Sequence, residues 1–147
     1  MEKVSSQSSL AFICNPAGQV LILREGAKFA AAPAAPCWDV PGGRIKPGET
    51  MADCLRQRVF EETGYTLVDT PAEPFMRQTY TFTEGGKFWE VEGQCFILPV
   101  AGLDVRLGPT HDQFLWVDPY AHADHALFPN LHAVFAAYLQ HQKKAWE

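Results

Sequence analysis

The sequence predicts an α/β sandwich built on a mixed sheet. Three observations carry this expectation. Short apolar runs bounded by Gly, Pro and Asn recur along the chain, as strands do. Two segments, after Thr50 and from Asn130, place apolar residues at helical spacing. Strand-like and helix-like stretches interleave, and no repeat or linker divides residues 1–147, so a single domain is expected.

The polar, Ser-rich start "MEKVSSQSSL" predicts a flexible N-terminus over residues 1–8. "LAFICNPAGQVLILREG" reads as a hairpin, two apolar runs about the turn residues "NPAG". "AKFAAAPAAPC" follows, and Pro33 and Pro36 make it a loop of restricted flexibility. "CWDV" is a short strand and "PGGRIKPGE" a Gly-rich loop. Thr50 with Asp53 forms a weak capping box, and Gly64 suits the residue after the helix end. Between them Ala52, Leu55 and Val59 share one face, with Met51 at its edge. "FMRQTYTFT" and "FWEVEGQCFILPV" are long strands joined by the tight turn "EGGK". "FLWV" is a further strand and "PYAHADHAL" a short helix or turn. The tail is a helix whose stripe is Leu131, Val134, Phe135, Tyr138 and Leu139.

Composition narrows the class. The net charge of −5 argues against a dedicated nucleic-acid or anionic-membrane binder, which carries a basic stripe. A small phosphorylated ligand, served by local cations and a metal, stays open. Cys14, Cys37, Cys54 and Cys95 form no C-x-x-C pair, so they read as reduced, small apolar residues. The run "LAFIC" is too short for a signal-peptide core or a membrane span, and a cytoplasmic protein is the expectation. Nothing distinguishes a monomer from a homodimer.

The chemistry concentrates in "GRIKPGETMADCLRQRVFEETGY". Gly lets backbone approach a phosphate or offer a carbonyl to a metal. On the helix that follows, Glu61, Arg58 and Glu62 fall on one stripe beside the apolar face. Converging carboxylates beside such a loop are what Mg²⁺ needs, with water and substrate phosphate completing the octahedron.

This stretch resembles the signature of the Nudix hydrolase family, G-x5-E-x7-R-E-U-x-E-E-x-G-U. Gly43, Glu49, Val59, Glu61, Glu62 and Gly64 match at the required spacing. Tyr65 replaces an aliphatic residue, Gln57 stands where the family has arginine, and Arg58 where it has glutamate. The resemblance implies a Nudix-type α/β/α sandwich with a mixed, curved sheet. It implies hydrolysis of a pyrophosphate bond in a nucleotide-like small molecule, with Mg²⁺ or Mn²⁺ held by Glu61, Glu62 and the Gly43 carbonyl. In the family, a glutamate at position 58 is a metal ligand or general base, and an arginine at 57 orients it by pairing with Glu49.

Arg58 therefore has three readings. Lying three and four residues before Glu61 and Glu62, it could bridge both and stand in the metal's place. It could swing toward Glu49 or a substrate phosphate and leave the glutamates free. It could be a solvated ion pair worth a few tenths of a kcal/mol. The first belongs to a rival function, a nucleotide-binding protein without turnover. Metal dependence of ligand binding separates that rival from an enzyme.

Further carboxylates could serve the site: Glu90 and Glu92 on one strand face, and Asp112 with the titratable His111 beside it. His122, His125, His132 and His141 lack metal-ligand spacing and suit surface or capping roles. Arg24, Lys28, Arg44 and Arg77 are candidate phosphate partners, Arg44 foremost because it lies inside the signature. Trp38, Tyr80, Phe82 and Trp89 are candidates to stack a base.

Overall fold

Two period-two apolar runs set the architecture. The structure, a computed structural model, describes residues 1–26 and 37–146. The predicted loop over 27–37 lies almost wholly outside these, as does Lys28. In β1 (Glu2–Cys14) and β2 (Val20–Glu25), successive side chains point to opposite sheet faces. Leu10, Phe12, Cys14, Val20 and Ile22 enter one core cluster; Ala11, Ile13, Leu21 and Leu23 enter the other. Both faces of the sheet are covered, so these strands read as continuous apolar runs.

The other elements follow in chain order: β3 (Trp38–Asp39), β4 (Gly42–Arg44), α1 (Met51–Thr63), β5 (Met76–Glu84), β6 (Lys87–Pro99), β7 (His111–Val117), a 3₁₀ segment (Pro119–Asp124) and α2 (Pro129–Trp146). The seven-stranded sheet runs β3-β2-β1-β6-β5, with β4 also pairing β1 and β7 also pairing β2. β1 and β6 are parallel and every other pair is antiparallel, which gives the expected mixed sheet. Leu55 and Val59 of α1 close one face, and Leu131, Val134, Phe135 and Tyr138 of α2 close the other. The result is an α/β/α sandwich of Nudix type.

The N-terminus corrects an expectation. Residues 1–8 are not a flexible tail, because β1 begins at Glu2 and pairs in parallel with β6 from Glu2↔Lys87 to Cys14↔Pro99. A ladder is built by backbone groups, so polar side chains do not prevent it. Ser8 and Ser9 are buried, and the Ser8 hydroxyl meets the Tyr80 hydroxyl at 3.2 Å. The β1–β2 hairpin is splayed, with Cys14↔Val20 as its paired register. Its turn is held by the Asn15 carboxamide oxygen, which accepts from the Ala17 and Gln19 N–H groups. The β5–β6 hairpin closes on Gly85 and Gly86, both at positive φ, as a two-residue primed turn requires.

Helix α1 starts and stops where the sequence places it. The Thr50 hydroxyl accepts from Asp53 N–H and the Asp53 carboxylate accepts from Thr50 N–H, a complete capping box. Gly64 ends the helix at φ 81°. The buried face is wider than predicted: Cys54, Arg58 and Thr63 join Leu55 and Val59, while Ala52 is half-buried. The Gly-rich loop is also partly a strand, since Gly43 of β4 pairs with Ser9 of β1. Among the described residues, no helix is long and apolar enough to cross a membrane.

Candidate active site

The close approach of β4 to β1 positions the site. At Gly42 (φ 155°), a Cβ would run into the Ser9 carbonyl, so only glycine admits this register. With β4 seated, the Gly42 N–H points at α1 and donates to Glu62 Oε1 at 3.0 Å. Burial pushes the Glu62 carboxyl up to about 8; the Gly42 N–H opposes the shift, Asp39 adds to it, Arg58 opposes and Glu61 adds. Asp39 lies on β3, three residues before Gly42. Burial raises it to about 6 against its bond from Val40 N–H, and Glu25 adds a smaller push. The charge of Asp39 acts on Glu62, so these two carboxylates are near neighbours. Glu61 is exposed, and its Oε1 accepts from Gln57 Nε2 at 2.8 Å.

Arg58 is 7% exposed, so reading it as a solvated pair is wrong. Its stem lies under Gly43, where a Cβ would sit 3.0 Å from its Cδ and Nε. Nη2 donates to the Arg44 carbonyl and to Glu49 Oε1, each at 3.1 Å. Glu49 Oε1 also accepts from Lys46 N–H at 2.8 Å, so Arg58 ties the loop over residues 43–49 to α1. The guanidinium therefore does not bridge Glu61 and Glu62. It takes the second course left open by the sequence, pairing with Glu49. Arg58 thus makes the Glu49 pair that the resemblance assigned to an arginine at 57, and Gln57 is released to Glu61. Arg58 Nη1 is buried without a hydrogen-bond partner.

Other candidates divide. The Arg44 guanidinium stacks over the Trp89 ring, 4.4 Å from its centroid. Tyr80, Phe82 and Trp89 form a ladder with centroids 6.3 and 6.0 Å apart. Gly93, opposite Gln78, leaves room for the Tyr80 ring. Tyr80, Phe82, Asp39, Phe128 and Asn130 line a cavity of about 590 Å³. Glu90 and Glu92 border a second cavity, about 650 Å³, together with Glu49 and Lys46; Glu90 also pairs with Lys3.

Arg24 and Asp112 engage each other through bonds of 2.8 and 3.0 Å, which holds Asp112 below the usual carboxylate range. They staple β2 to β7, and neither contacts the α1 carboxylates in any bond or ion pair found. Trp38 is half-buried and packs against the α2-side core. His111 is held below its ordinary value by burial and meets the Thr110 hydroxyl. Arg77 pairs with Glu73 on the surface. His122 and His132 face each other through Nδ1 atoms 2.9 Å apart, a pairing their sequence positions concealed. His125 ends the 3₁₀ segment, and the ring of His141 lies near Phe75. Sequence reasoning missed Asp39; its place one strand residue ahead of "VPGG" was the available signal.

The donor set suits a hard divalent ion. Among the described residues, no group of three or more His, Cys, Asp or Glu is close enough to hold an ion by side chains alone. Mg²⁺, however, commonly takes one or two carboxylates and completes its shell with water and phosphate. Among the described residues, Glu62 is a desolvated carboxylate whose hydrogen bond comes from Gly42, with Asp39 and Glu61 repelling its charge. A cation there would relieve both penalties. The Glu62 carboxylate and its acidic neighbours therefore fit such an ion.

The family model described as the NUDIX domain matches residues 6–141. An RNA pyrophosphohydrolase of Erythrobacter litoralis is 30% identical over 122 residues, covering 70% of this chain and 74% of that protein. A putative 8-oxo-dGTP diphosphatase of Bacillus subtilis is 32% identical over 60 residues, 41% of this chain; the match spans little more than a third of that relative, 36%. The crystal structure of a MutT protein from Methanosarcina mazei superimposes with a TM-score of 0.82 at 28% identity, covering 97% of this chain and 99% of that one.

Proposed function

The chain belongs to the Nudix hydrolase family, and from that premise we propose that it is a pyrophosphohydrolase acting on a nucleotide-like small molecule with Mg²⁺ or Mn²⁺. The observation that carries this reading is the place of Arg58. Its guanidinium is spent on Glu49 and the Arg44 carbonyl, which leaves Glu61 and Glu62 available to an ion. Such an ion supplies charge neutralisation at the phosphate oxygens and a lower pKa for the attacking water.

The chain's own residues do the rest. Glu61 and Glu62 present hard oxygens from one turn of α1. Arg58 and Glu49 hold the loop against α1, where the Gly43 carbonyl meets the Cys54 thiol. Arg44, anchored over Trp89 beside that loop, offers a guanidinium to a substrate phosphate. The cavity beside Tyr80 and Phe82 takes the base, whose burial orients the polyphosphate toward α1.

The test is a screen of nucleoside di- and triphosphates, dinucleoside polyphosphates and nucleotide sugars, reading released phosphate or pyrophosphate. Turnover should require Mg²⁺ or Mn²⁺ and stop with chelator. The substitution of arginine for a family carboxylate at position 58 favours a second reading, binding without turnover. Ligand binding that is indifferent to metal, with no substrate cleaved, would establish it.

A further inference from the structure

The cavity proposed for the base is unusual in the balance of its polar groups. Its walls are aromatic, with Tyr80 and Phe82 on one strand and Phe128 ahead of α2, which suits a planar ring. Its charged side chains, Asp39 and Glu84, accept hydrogen bonds, while Thr81 and Thr83 add hydroxyls that donate or accept. The Asp39 carboxylate is acceptor-only when ionised, and the single hydrogen bond it receives comes from Val40 N–H to Oδ1. Asn130 Nδ2 is turned to Gln78 Oε1 at 3.3 Å, and Gln78 Nε2 to the Asn130 carbonyl at 3.1 Å. That leaves the Asn130 carboxamide oxygen and one Nδ2 hydrogen as its free groups among the described residues. Glu84 at the rim adds another acceptor. The Tyr80 hydroxyl is engaged with Ser8.

A ligand edge set against Asp39 must therefore donate. Guanine carries two donors side by side, N1–H and the N2 amine, spaced to meet the two oxygens of one carboxylate. Adenine and cytosine each set a single amine beside a ring acceptor, which would face a carboxylate oxygen. Uracil flanks its one N–H with two carbonyls. We infer that this cavity selects a guanine nucleotide, with Asp39 accepting from N1–H and N2–H and so determining base specificity. The inference rests on the nucleotide reading above and names the substrate class for it. An unpaired buried acceptor penalises the wrong base as much as the paired one rewards the right base.

The experiment separates this claim from hydrolysis. Equilibrium binding of GDP, IDP and ADP is measured by calorimetry on the full chain, with Asp39→Ala and Asp39→Asn alongside. IDP keeps N1–H and lacks the N2 amine, so it isolates one of the two contacts. The unsubstituted protein should bind GDP at least about tenfold tighter than IDP, and tighter again than ADP. Asp39→Ala should bring the GDP-to-IDP ratio close to one while remaining folded by circular dichroism, and Asp39→Asn should fall between. Equal affinity for the three nucleotides, or a GDP-to-IDP ratio that survives Asp39→Ala, overturns the inference. If nucleotides are cleaved without guanine preference, this claim fails alone. If GDP is preferred but nothing is cleaved, the hydrolysis reading fails and this one stands.

Discussion

Arg58 shows what one residue's burial decides. A guanidinium on an exposed helix face pairs weakly and carries little meaning. At 7% exposure, with its stem beneath Gly43 and two acceptors on Nη2, it becomes the fastening of the signature loop. Arg58→Ala should leave the half-buried Glu49 without its cation and destabilise the fold by roughly 1–3 kcal/mol, measured by urea unfolding. Arg58→Lys should recover part of that loss, since an ammonium keeps the charge but not the fork. The paired change Gln57→Arg with Arg58→Glu returns the Glu49 partner to position 57 and adds a carboxylate near Glu61 and Glu62. It should bind Mn²⁺ more tightly than the natural protein. Unchanged or weaker Mn²⁺ affinity in a folded double variant would mean that the ion is not held by this stripe.

Glu62 yields a pH dependence at the same scale. Its folded value, about 8, lies above the ordinary 4.5, so between those values the folded state binds the extra proton. That stabilisation is complete below about pH 4.5 and is lost as pH rises through about 8; Asp39 acts likewise between 3.8 and about 6. Metal-free protein should thus lose stability from pH 5 to 8, and Glu62→Gln should remove roughly 1–3 kcal/mol of that slope. Thermal unfolding of both proteins across this range checks it; parallel curves would show that Glu62 is not desolvated.

At the scale of elements, local signals were legible and tertiary ones were not. Thr50, Asp53 and Gly64 announced the bounds of α1 because caps are written in neighbouring residues. Gly85–Gly86 announced the β5–β6 hairpin for the same reason. The strand over residues 2–8 was hidden, because its partner lies some 85 residues away in β6 and its side chains are polar. The pairing of Arg58 with Glu49 was open as an alternative, but a helical wheel cannot tell which neighbour a long side chain chooses. Asp39 was missed because its place near Glu62 and at the Tyr80 cavity comes from tertiary packing, which no local pattern records. The β4–β1 register rests on Gly42. Gly42→Ala should cost roughly 3 kcal/mol or more, or abolish folding, because the new Cβ meets backbone at Ser9 rather than a movable side chain. Expression and chemical denaturation of that variant give the answer, and a stability within about 0.5 kcal/mol of the natural protein would refute the register.

Across the whole molecule, a sheet covered on both faces gives the chemistry a rigid frame. The α2 face holds Phe12, Phe135 and Tyr138 in ring contact, and Phe135→Ala should cost roughly 3–5 kcal/mol. The α1 face instead keeps its carboxylates at the edge of the core, where desolvation raises Glu62 while the cavity beside Asp39 stays open. The fold class was legible because the apolar runs of β1 and β2 alternate between the two cores. Glu61, Glu62 and Gly43 were nameable from the sequence as candidate ligands, while the fastening of Arg58 to Glu49 and the Arg44 carbonyl was not fixed by it. The account's central claim is that these α1 carboxylates receive a divalent ion together with a polyphosphate, despite the arginine between them. Its most direct test is a Mn²⁺ titration followed by electron paramagnetic resonance, with and without a non-hydrolysable nucleotide, on the natural protein, Glu61→Gln and Glu62→Gln. Weak binding to the free protein, clear binding with the nucleotide, and loss of about tenfold or more in affinity in both variants are the predicted result. Tight binding that needs no nucleotide and survives both substitutions would contradict it.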